Sequence, residues 1–332
     1  MKELIKLILK FAFAGAIIYW LVQRGQIDFT MIPKSLEYKH LWAATFAILL
    51  PIVFMTSYRW RMLLRVKSQV HLPFLSILRL TWVGMFFSAV LPGAVTGDLV
   101  KLVYARSLDH NLSKSFLLTS ILMDRVIGLL GLLSLLGIST IIHYSELIAV
   151  SPKMETLVHF NFLIFFGVLT ALACIFIPAR IQNRVLQLAG LLPFVGERIV
   201  KLLESVWIFG KHYKTIALSL LISFVVQFCN LLAFWTIIQP FLPIALPFRF
   251  AFSFIPLGLV AIAIPITPAG LGVGHAFFAN LFAFFHVNNG ASLFNFYFLA
   301  SLTMNLLGIF PYLFGGKLVS LKETKEMEEE NS

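Results

Sequence analysis

Long apolar stretches separated by short polar segments set the pattern of this sequence. A helix needs about 20 mostly apolar residues to cross the hydrocarbon core of a bilayer. The stretches that approach this length are residues 4–23, 41–58, 74–92, 115–142, 158–178, 215–239, 247–266, 271–287 and 293–314. They lack the strict alternation of apolar and polar residues that is typical of transmembrane β-strands. The sequence therefore predicts an all-α, polytopic bundle of membrane helices.

The composition supports a membrane location. Hydrophobic residues make up 59% of the 332 positions and charged residues only 12%, whereas about a quarter of the residues in a soluble domain are charged. The formal net charge of +11 matches the excess of Lys and Arg in cytoplasmic loops and favours contact with anionic lipid head groups. Because the basic residues are scattered over short loops, we expect no nucleic-acid partner.

A stretch rich in proline and glycine, SAVLPGAVTGDLVK at 88–101, interrupts the third apolar run. If 74–92 and every later run crossed the membrane, the basic segments 59–73 and 179–214 would lie on opposite sides, against the positive-inside rule. A re-entrant hairpin over 74–101 removes this conflict and places both termini in the cytoplasm. Proline and glycine allow the sharp bend that a hairpin needs, and the residues in question are Pro92, Gly93 and Gly97.

A second interruption, AIPITPAGLGVGH at 263–275, lies in the C-terminal half of the chain. The residues that would break a helix here are Pro265, Pro268, Gly270 and Gly272. Paired breaks in the two halves of a transporter point to a binding site where the halves meet, and they favour an inverted repeat. The alternative is that each interruption is a tight loop between two ordinary spans.

Few charged residues fall at membrane depth. Asp124 and Arg125 lie inside an apolar run, and Asp98 and Lys101 follow the first break. Neighbouring helix positions point about 100° apart, so Asp124 and Arg125 need different partners. Asp98 and Lys101 are spaced to pair if a helix resumes after the break. The four residues either form an ion-pair network that locks the hairpin, or they contact a lipid phosphate, for which Arg is well suited.

Two further groups of residues have less specific interpretations. His275 follows the second break, and an isolated intramembrane histidine is more often a hydrogen-bonded structural residue than a proton carrier; it would join the charged group if the two breaks meet. The run YRWR at 58–61 is interpreted as a membrane-interface anchor.

The longest segment between apolar runs, 179–214, interleaves basic and apolar residues. This pattern suits helices that lie flat at the cytoplasmic interface, and an ordinary connecting loop is an equal alternative. We predict one transmembrane domain over 1–321, which includes these interfacial helices, and a polar cytoplasmic tail over 322–332.

Several motifs of catalytic chemistry are missing from the sequence. It has no G-x-x-x-x-G-K-[ST] phosphate loop, no H-E-x-x-H zinc motif and no G-x-S-x-G nucleophile motif. Cys174 and Cys229 lie in apolar runs and are interpreted as packing residues. We therefore expect no cofactor, no metal site and no catalytic residue.

Three motifs, LPGAVTGDLVK, SILMDRVIGLLGLL and IPITPAGLGVGH, resemble the flippase-like membrane domain shared by lysylphosphatidylglycerol synthases and many stand-alone relatives. The likeness covers roughly residues 5–315. The matching positions are Pro92, Gly97, Asp98, Asp124, Arg125, Gly128, Pro265, Pro268, Gly270 and Gly272. Thr96 and Ala269 replace glycines of the family, and Lys101 replaces an arginine. His275 stands where many relatives have Glu, which changes the pH range of any proton-carrying role.

The resemblance implies a protein of the cell inner (plasma) membrane that moves a lipid between leaflets. The expected partner is a membrane lipid, an anionic or isoprenoid phospholipid, and whether the chain forms homo-oligomers is left open. The expected head-group contacts are Asp98, Lys101, Asp124, Arg125 and His275. No synthase domain is recognised, so we do not expect synthesis of lysylphosphatidylglycerol. The alternatives are a membrane enzyme acting on lipid-linked substrates and a non-catalytic membrane partner protein.

Overall fold

The computed structural model describes residues 19, 22–23, 30–90, 96–109, 111–191, 196–242, 248–263 and 271–314. These residues form helices joined by short turns, and no strand is found among them. The first helices are α1 (Met31–Leu36), α2 (Lys39–Leu64), α3 (Phe74–Val90), α4 (Thr96–Leu108), α5 (Lys114–Ile142), α6 (Tyr144–Ile148) and α7 (Pro152–Ala173). The later helices are α8 (Ala179–Gly190), α9 (Gly196–Gly210), α10 (Tyr213–Ile238), α11 (Phe248–Ala263), α12 (Val273–Ala283), α13 (Gly290–Leu306) and α14 (Ile309–Phe314). The predicted all-α, polytopic fold class is confirmed.

The described part of the chain contains both full-length spans and shorter apolar helices. Five segments there are long and apolar enough to cross a membrane: Lys39–Leu64, Lys114–Ile142, Pro152–Phe176, Tyr213–Phe241 and Gly290–Phe314. The helices of the two interrupted regions are shorter, and α12 has only 11 residues, about half the length that a span requires. The predicted span at 4–23 lies largely outside the described residues.

The first hairpin, α3 and α4, leaves and returns at the same end of the bundle. Ser68, which follows α2, donates a hydrogen bond from Oγ to Oδ2 of Asp109 at 2.7 Å, and Asp109 follows α4. The turn before α3 and the turn after α4 are therefore neighbours. This contact is what a re-entrant path over 74–101 predicts.

The second hairpin, α11 and α12, leaves and returns at the opposite end. Asn289, which follows α12, donates from Nδ2 to the carbonyl oxygen of Phe241, which precedes α11, at 3.5 Å. The Phe241 ring packs against Tyr38 at the start of α2, whereas the first hairpin begins beside the end of α2. Gly272 precedes α12 with a φ of 80°, which glycine adopts far more readily than other residues. The other predicted breaking residues lie outside the described residues: Pro92, Gly93, Pro265, Pro268 and Gly270.

Two large clusters of buried apolar side chains fill the bundle. The larger joins the second half of α5 to α10, α11, α12 and α13, with Phe234 and Phe278 stacked at 4.9 Å between ring centroids. The other joins the end of α2 to α3, α4 and the first half of α5, and it contains Trp60. Arg59 on α2 and Ser223 on α10 fall between the positions that contribute to the two clusters. The buried polar groups of these helices therefore lie where the apolar clusters meet.

The described residues of the segment 179–214 include two helices, α8 and α9, rather than only an open loop. Trp207 on α9 donates from Nε1 to the carbonyl oxygen of Cys174 at 3.2 Å, which ties α9 to the end of α7. On α8, Ile181 and Leu188 are exposed at i and i+7, on one face of the helix. Exposed apolar side chains fit an interfacial position, and that position stays a prediction.

Candidate functional site

Arg59 is a buried cation near the end of α2, with 5% of its surface exposed. Its Nε donates to Oδ1 of Asp124 on α5 at 2.7 Å, and its Nη1 donates to Oγ of Ser223 on α10. One guanidinium thus joins three helices. A carboxylate at the centre of a membrane helix costs about 2.5–3.5 kcal/mol on insertion scales, and pairing with Arg59 explains how Asp124 is accommodated.

The structure corrects the interpretation of Arg59 and Trp60 as interface anchors. Both are buried within the protein, and Trp60 donates from Nε1 to Oγ of Ser120 at 3.4 Å. Tyr58, in contrast, is exposed. Successive helix positions point about 100° apart, so a run of aromatic and basic residues places some of its side chains in the bundle interior.

Asp98, in the first turn of α4, is shared by two cations. Arg125 Nε donates to Asp98 Oδ2 at 2.6 Å, and Lys101 Nζ lies 3.5 Å from Asp98 Oδ1. Lys101 Nζ also lies 5.6 Å from the centroid of the Trp60 ring, within cation–π range. The predicted pairing of Asp98 with Lys101 is confirmed, and Arg125 ties the first hairpin to α5.

Asp124 and Arg125 face different helices, as their spacing predicts. Asp124 pairs with Arg59 on α2 and Arg125 with Asp98 on α4. With Lys101, the two ion-pair groups found among the described residues contain three cations and two carboxylates, one cation more than carboxylates. The Arg125 side chain is 45% exposed and that of Asp98 only 12%. The part of this group that a ligand can reach is therefore Arg125.

Glycines allow the helices of the first hairpin to approach closely. A Cβ atom on Gly97 would lie 2.0 Å from the carbonyl oxygen of Gly84 and 2.1 Å from Oγ of Ser88. A Cβ atom on Gly84 would lie 2.8 Å from Cε of Lys101. Only glycine fits at these positions without a shift of the neighbours, so the contact fixes where Asp98 and Lys101 stand.

A cavity of about 300 Å³ lies beside Arg59, among α2, α10 and α13. A chain of hydrogen bonds runs along its wall. Tyr297 Oη donates to Asn230 Oδ1 at 3.0 Å, and Asn230 Nδ2 donates to Gln227 Oε1 at 3.3 Å. Gln227 Nε2 in turn donates to the carbonyl oxygen of Gly128 at 3.3 Å. Further polar residues that line the cavity are Thr56, Ser301 and Asn305.

Comparison with known families identifies the chain. Its sequence matches the family model described as "Lysylphosphatidylglycerol synthase TM region" over residues 7–308. The chain belongs to this family. The match spans both interrupted hairpins and the whole charged group, and it confirms the resemblance carried by the three motifs. Comparisons with curated proteins and with solved structures gave no significant match.

Membership in the lysylphosphatidylglycerol synthase TM-region family agrees with the apolar helices. The chain is an integral, multi-pass membrane protein of a family associated with lipid modification or transport.

His275, which follows the second break in the sequence, lies within the second hairpin and is 2% exposed. Its Nδ1 accepts a hydrogen bond from the backbone N–H of Gly272 at 3.4 Å. Its Nε2 therefore carries the proton and donates to Oδ1 of Asn295, also at 3.4 Å. Among the hydrogen bonds and ion pairs of the described residues, none joins His275 to Asp98 or Asp124. His275 closes the start of α12 as the third residue of a capping box does.

Sequence reasoning missed Arg59 and the amides of the cavity, although signals for both exist. A carboxylate within a membrane helix often pairs with a cation, and Arg59 follows the end of an apolar run. Gln227 and Asn230 are spaced i, i+3 within the apolar run 215–239, which places them on one face of a helix. Polar side chains on a membrane helix usually face the bundle interior.

Proposed function

We propose that this chain moves a phosphate-bearing lipid between the leaflets of the cell inner (plasma) membrane, with both termini in the cytoplasm. One observation carries the proposal: Asp98, Lys101 and Arg125 form a charged group where an interrupted hairpin packs against a full-length span. Irregular backbone at membrane depth is tolerated where protein or a water-filled cavity covers it. Transporters bind their substrates at such interruptions.

Arg125 is suited to hold the phosphate of the head group. Its side chain is 45% exposed, and a guanidinium can donate two parallel N–H bonds to phosphate oxygens. Lys101 adds a second positive charge within reach of the same carboxylate. The excess of positive charge in the whole group favours an anionic head group. Asp124 and His275 are held by other residues of the protein, and we assign them positioning roles.

Binding of phosphate would also act on the hairpin. Arg125 ties α4 to α5 through Asp98, and a phosphate that engages the guanidinium competes with this carboxylate. The hairpin is then held less firmly against α5 when a head group is bound. Such an exchange couples lipid binding to the movement that alternating access requires.

Replacing Arg125 with alanine tests the proposal. We expect Arg125→Ala to slow the translocation of fluorescent phosphatidylglycerol in reconstituted vesicles about tenfold or more, since a hydrogen bond to a charged group contributes about 1.5–3 kcal/mol. Arg125→Lys keeps the charge without the two-pronged geometry and should give an intermediate rate. Chemical quenching of the label in the outer leaflet measures the rate.

A matched control removes an arginine from outside the site. Arg184 lies on the exposed side of α8, and Arg184→Ala should keep the wild-type rate. Full translocation by a folded Arg125→Ala protein would refute the proposal. Conversion of the labelled lipid into a new product by the wild-type protein would instead support the enzyme alternative.

A further inference from the structure

The cavity beside Arg59 deepens the proposed function, on which this inference rests. We infer that the cavity is a head-group subsite for a small uncharged polyol, of the glycerol or sugar kind, linked to the lipid phosphate. The same lining disfavours a head group that carries an amine. The residues that would contact the polyol are Arg59, Gln227, Asn230, Tyr297 and Asn305.

The size of the cavity limits its occupant. Its volume of about 300 Å³ stands at the small end of the range of ligand sites, about 300–1,000 Å³. A whole phospholipid does not fit, whereas a short head group does. An acyl chain is a poor occupant, because it would leave the amide and hydroxyl groups of the lining without hydrogen-bond partners.

The polar groups of the lining match those of hydroxyls. The side-chain amides of Gln227 and Asn230 each have two N–H donors, and the hydrogen-bond chain uses one donor of each. The side-chain amide of Asn305 also lines the cavity, and the hydrogen bonds found among the described residues do not include it. A side-chain amide both donates and accepts hydrogen bonds, and so does a hydroxyl. A polyol can therefore accept from the N–H groups of these amides or donate to their carbonyl oxygens.

The charge of the lining argues against an amine. Arg59 is among the described lining residues, and no carboxylate is. The carboxylate of Asp124 is outside this lining and is engaged by Arg59 at 2.7 Å. A lysyl or ethanolamine ammonium group in the cavity would meet the Arg59 guanidinium, whose counter-ion Asp124 is already engaged, and would find no carboxylate of its own among the described lining residues. A low-dielectric interior makes an ammonium group without a counter-ion costly. The aminoacylated head group in the family's description is therefore not one that this cavity fits.

The cavity and the proposed phosphate site are both connected to α5, through two consecutive residues of this helix. Asp124 binds Arg59, which lines the cavity, and the next residue, Arg125, binds Asp98. The two sites therefore share one turn of α5, with Asp124 and Arg125 directed about 100° apart.

Three labelled lipids separate the parts of the head group. Phosphatidylglycerol carries phosphate and polyol, phosphatidic acid carries phosphate alone, and lysylphosphatidylglycerol adds an amine. We expect wild-type protein in vesicles to move phosphatidylglycerol about tenfold faster than lysylphosphatidylglycerol. Asn305→Leu should slow phosphatidylglycerol about fivefold to tenfold, as loss of a hydrogen bond to a ligand does, and leave phosphatidic acid unchanged.

The variants are chosen so that a slower translocation rate can be distinguished from misfolding. Asn305→Leu leaves the hydrogen-bond chain intact. Tyr297→Phe removes one hydroxyl while it keeps the ring, and it too should slow the movement of phosphatidylglycerol. Asn183→Leu, on the exposed side of α8, is the matched control and should change none of the three rates. Thermal unfolding of each purified variant confirms that it is folded.

The remaining outcomes distinguish a failure of the subsite inference from a failure of the proposed translocation. Equal or faster movement of lysylphosphatidylglycerol by the wild-type protein overturns the inference, and so does an equal loss of phosphatidylglycerol and phosphatidic acid movement in Asn305→Leu. If no lipid moves, the proposed translocation fails, and native mass spectrometry with the same lipids then decides the subsite. Selective retention of phosphatidylglycerol that Asn305→Leu abolishes supports the subsite, and equal retention of all three lipids overturns it.

Discussion

Arg59→Ala is expected to lower the free energy of unfolding by about 3–5 kcal/mol, the range for removing one partner of a buried ion pair. The variant leaves Asp124 without the guanidinium that binds it at 2.7 Å, and Ser223 loses the donor that contacts its hydroxyl. The contact that joins α2 to both α5 and α10 is lost as well. Reversible unfolding in mixed micelles, followed by tryptophan fluorescence, measures the change.

A double variant, Arg59→Met with Asp124→Leu, separates the buried charge from the packing. Replacing both partners of a buried pair with apolar residues of similar size is often neutral or stabilising. We therefore expect the double variant to be more stable than Arg59→Ala by about 2 kcal/mol or more. Wild-type stability of Arg59→Ala would contradict the buried ion pair. A double variant as unstable as the single one would assign the loss to packing instead.

Gly97→Ala is the second change for which we expect a large effect. The new Cβ would lie 2.0 Å from the carbonyl oxygen of Gly84, and this oxygen belongs to the backbone of α3, so it cannot rotate away. The helices α3 and α4 must separate, at a cost of about 3 kcal/mol, the upper end of the usual range for overpacking. The separation also moves Asp98 relative to Arg125, so phosphatidylglycerol translocation should fall together with the free energy of unfolding.

Gly167 on α7 provides the control for this substitution. A Cβ atom added there meets nothing within 4 Å, and alanine favours a helix over glycine by about 1 kcal/mol. Gly167→Ala should therefore be neutral or slightly stabilising. If Gly97→Ala behaves in the same way, in stability and in translocation, the close packing of the first hairpin does not exist as described.

The path of the first hairpin could be predicted from charges that lie far from it. The positive-inside rule favours one side of the membrane for the basic residues at 59–73 and 179–214, and the path that satisfies this rule turns back within 74–101. The contact between Ser68 and Asp109 agrees with that path. Residues 91–95 and 264–270, where the two breaks fall, lie outside the described residues, so the meeting of the two breaks at one binding site stays a prediction.

Helix periodicity predicted that Asp124 and Arg125 need separate partners, but it could not say which. Periodicity gives the direction of a side chain relative to its own helix, whereas the partner depends on which helices are neighbours. Arg59 was misread for the same reason. Its sequence neighbours are typical of a membrane interface, and only the packing of α2 against α5 and α10 shows that it is buried.

The cavity could not be predicted as a site because its residues come from distant segments. Gln227 and Asn230 belong to α10, and Tyr297 and Asn305 belong to α13. Each lies among mostly apolar neighbours in its run, and the hydrogen bonds that align Gln227, Asn230 and Tyr297 exist only in the folded bundle.

A structure determined in nanodiscs that contain phosphatidylglycerol tests most directly whether the Arg125 group receives a lipid phosphate. We predict phosphate density about 2.7–2.9 Å from the Arg125 guanidinium, the usual length of such a bond, with the glycerol directed to the cavity beside Arg59. Lipid density confined to the outer surface of the bundle, with the Asp98–Arg125 pair intact and no phosphate beside it, would contradict the account.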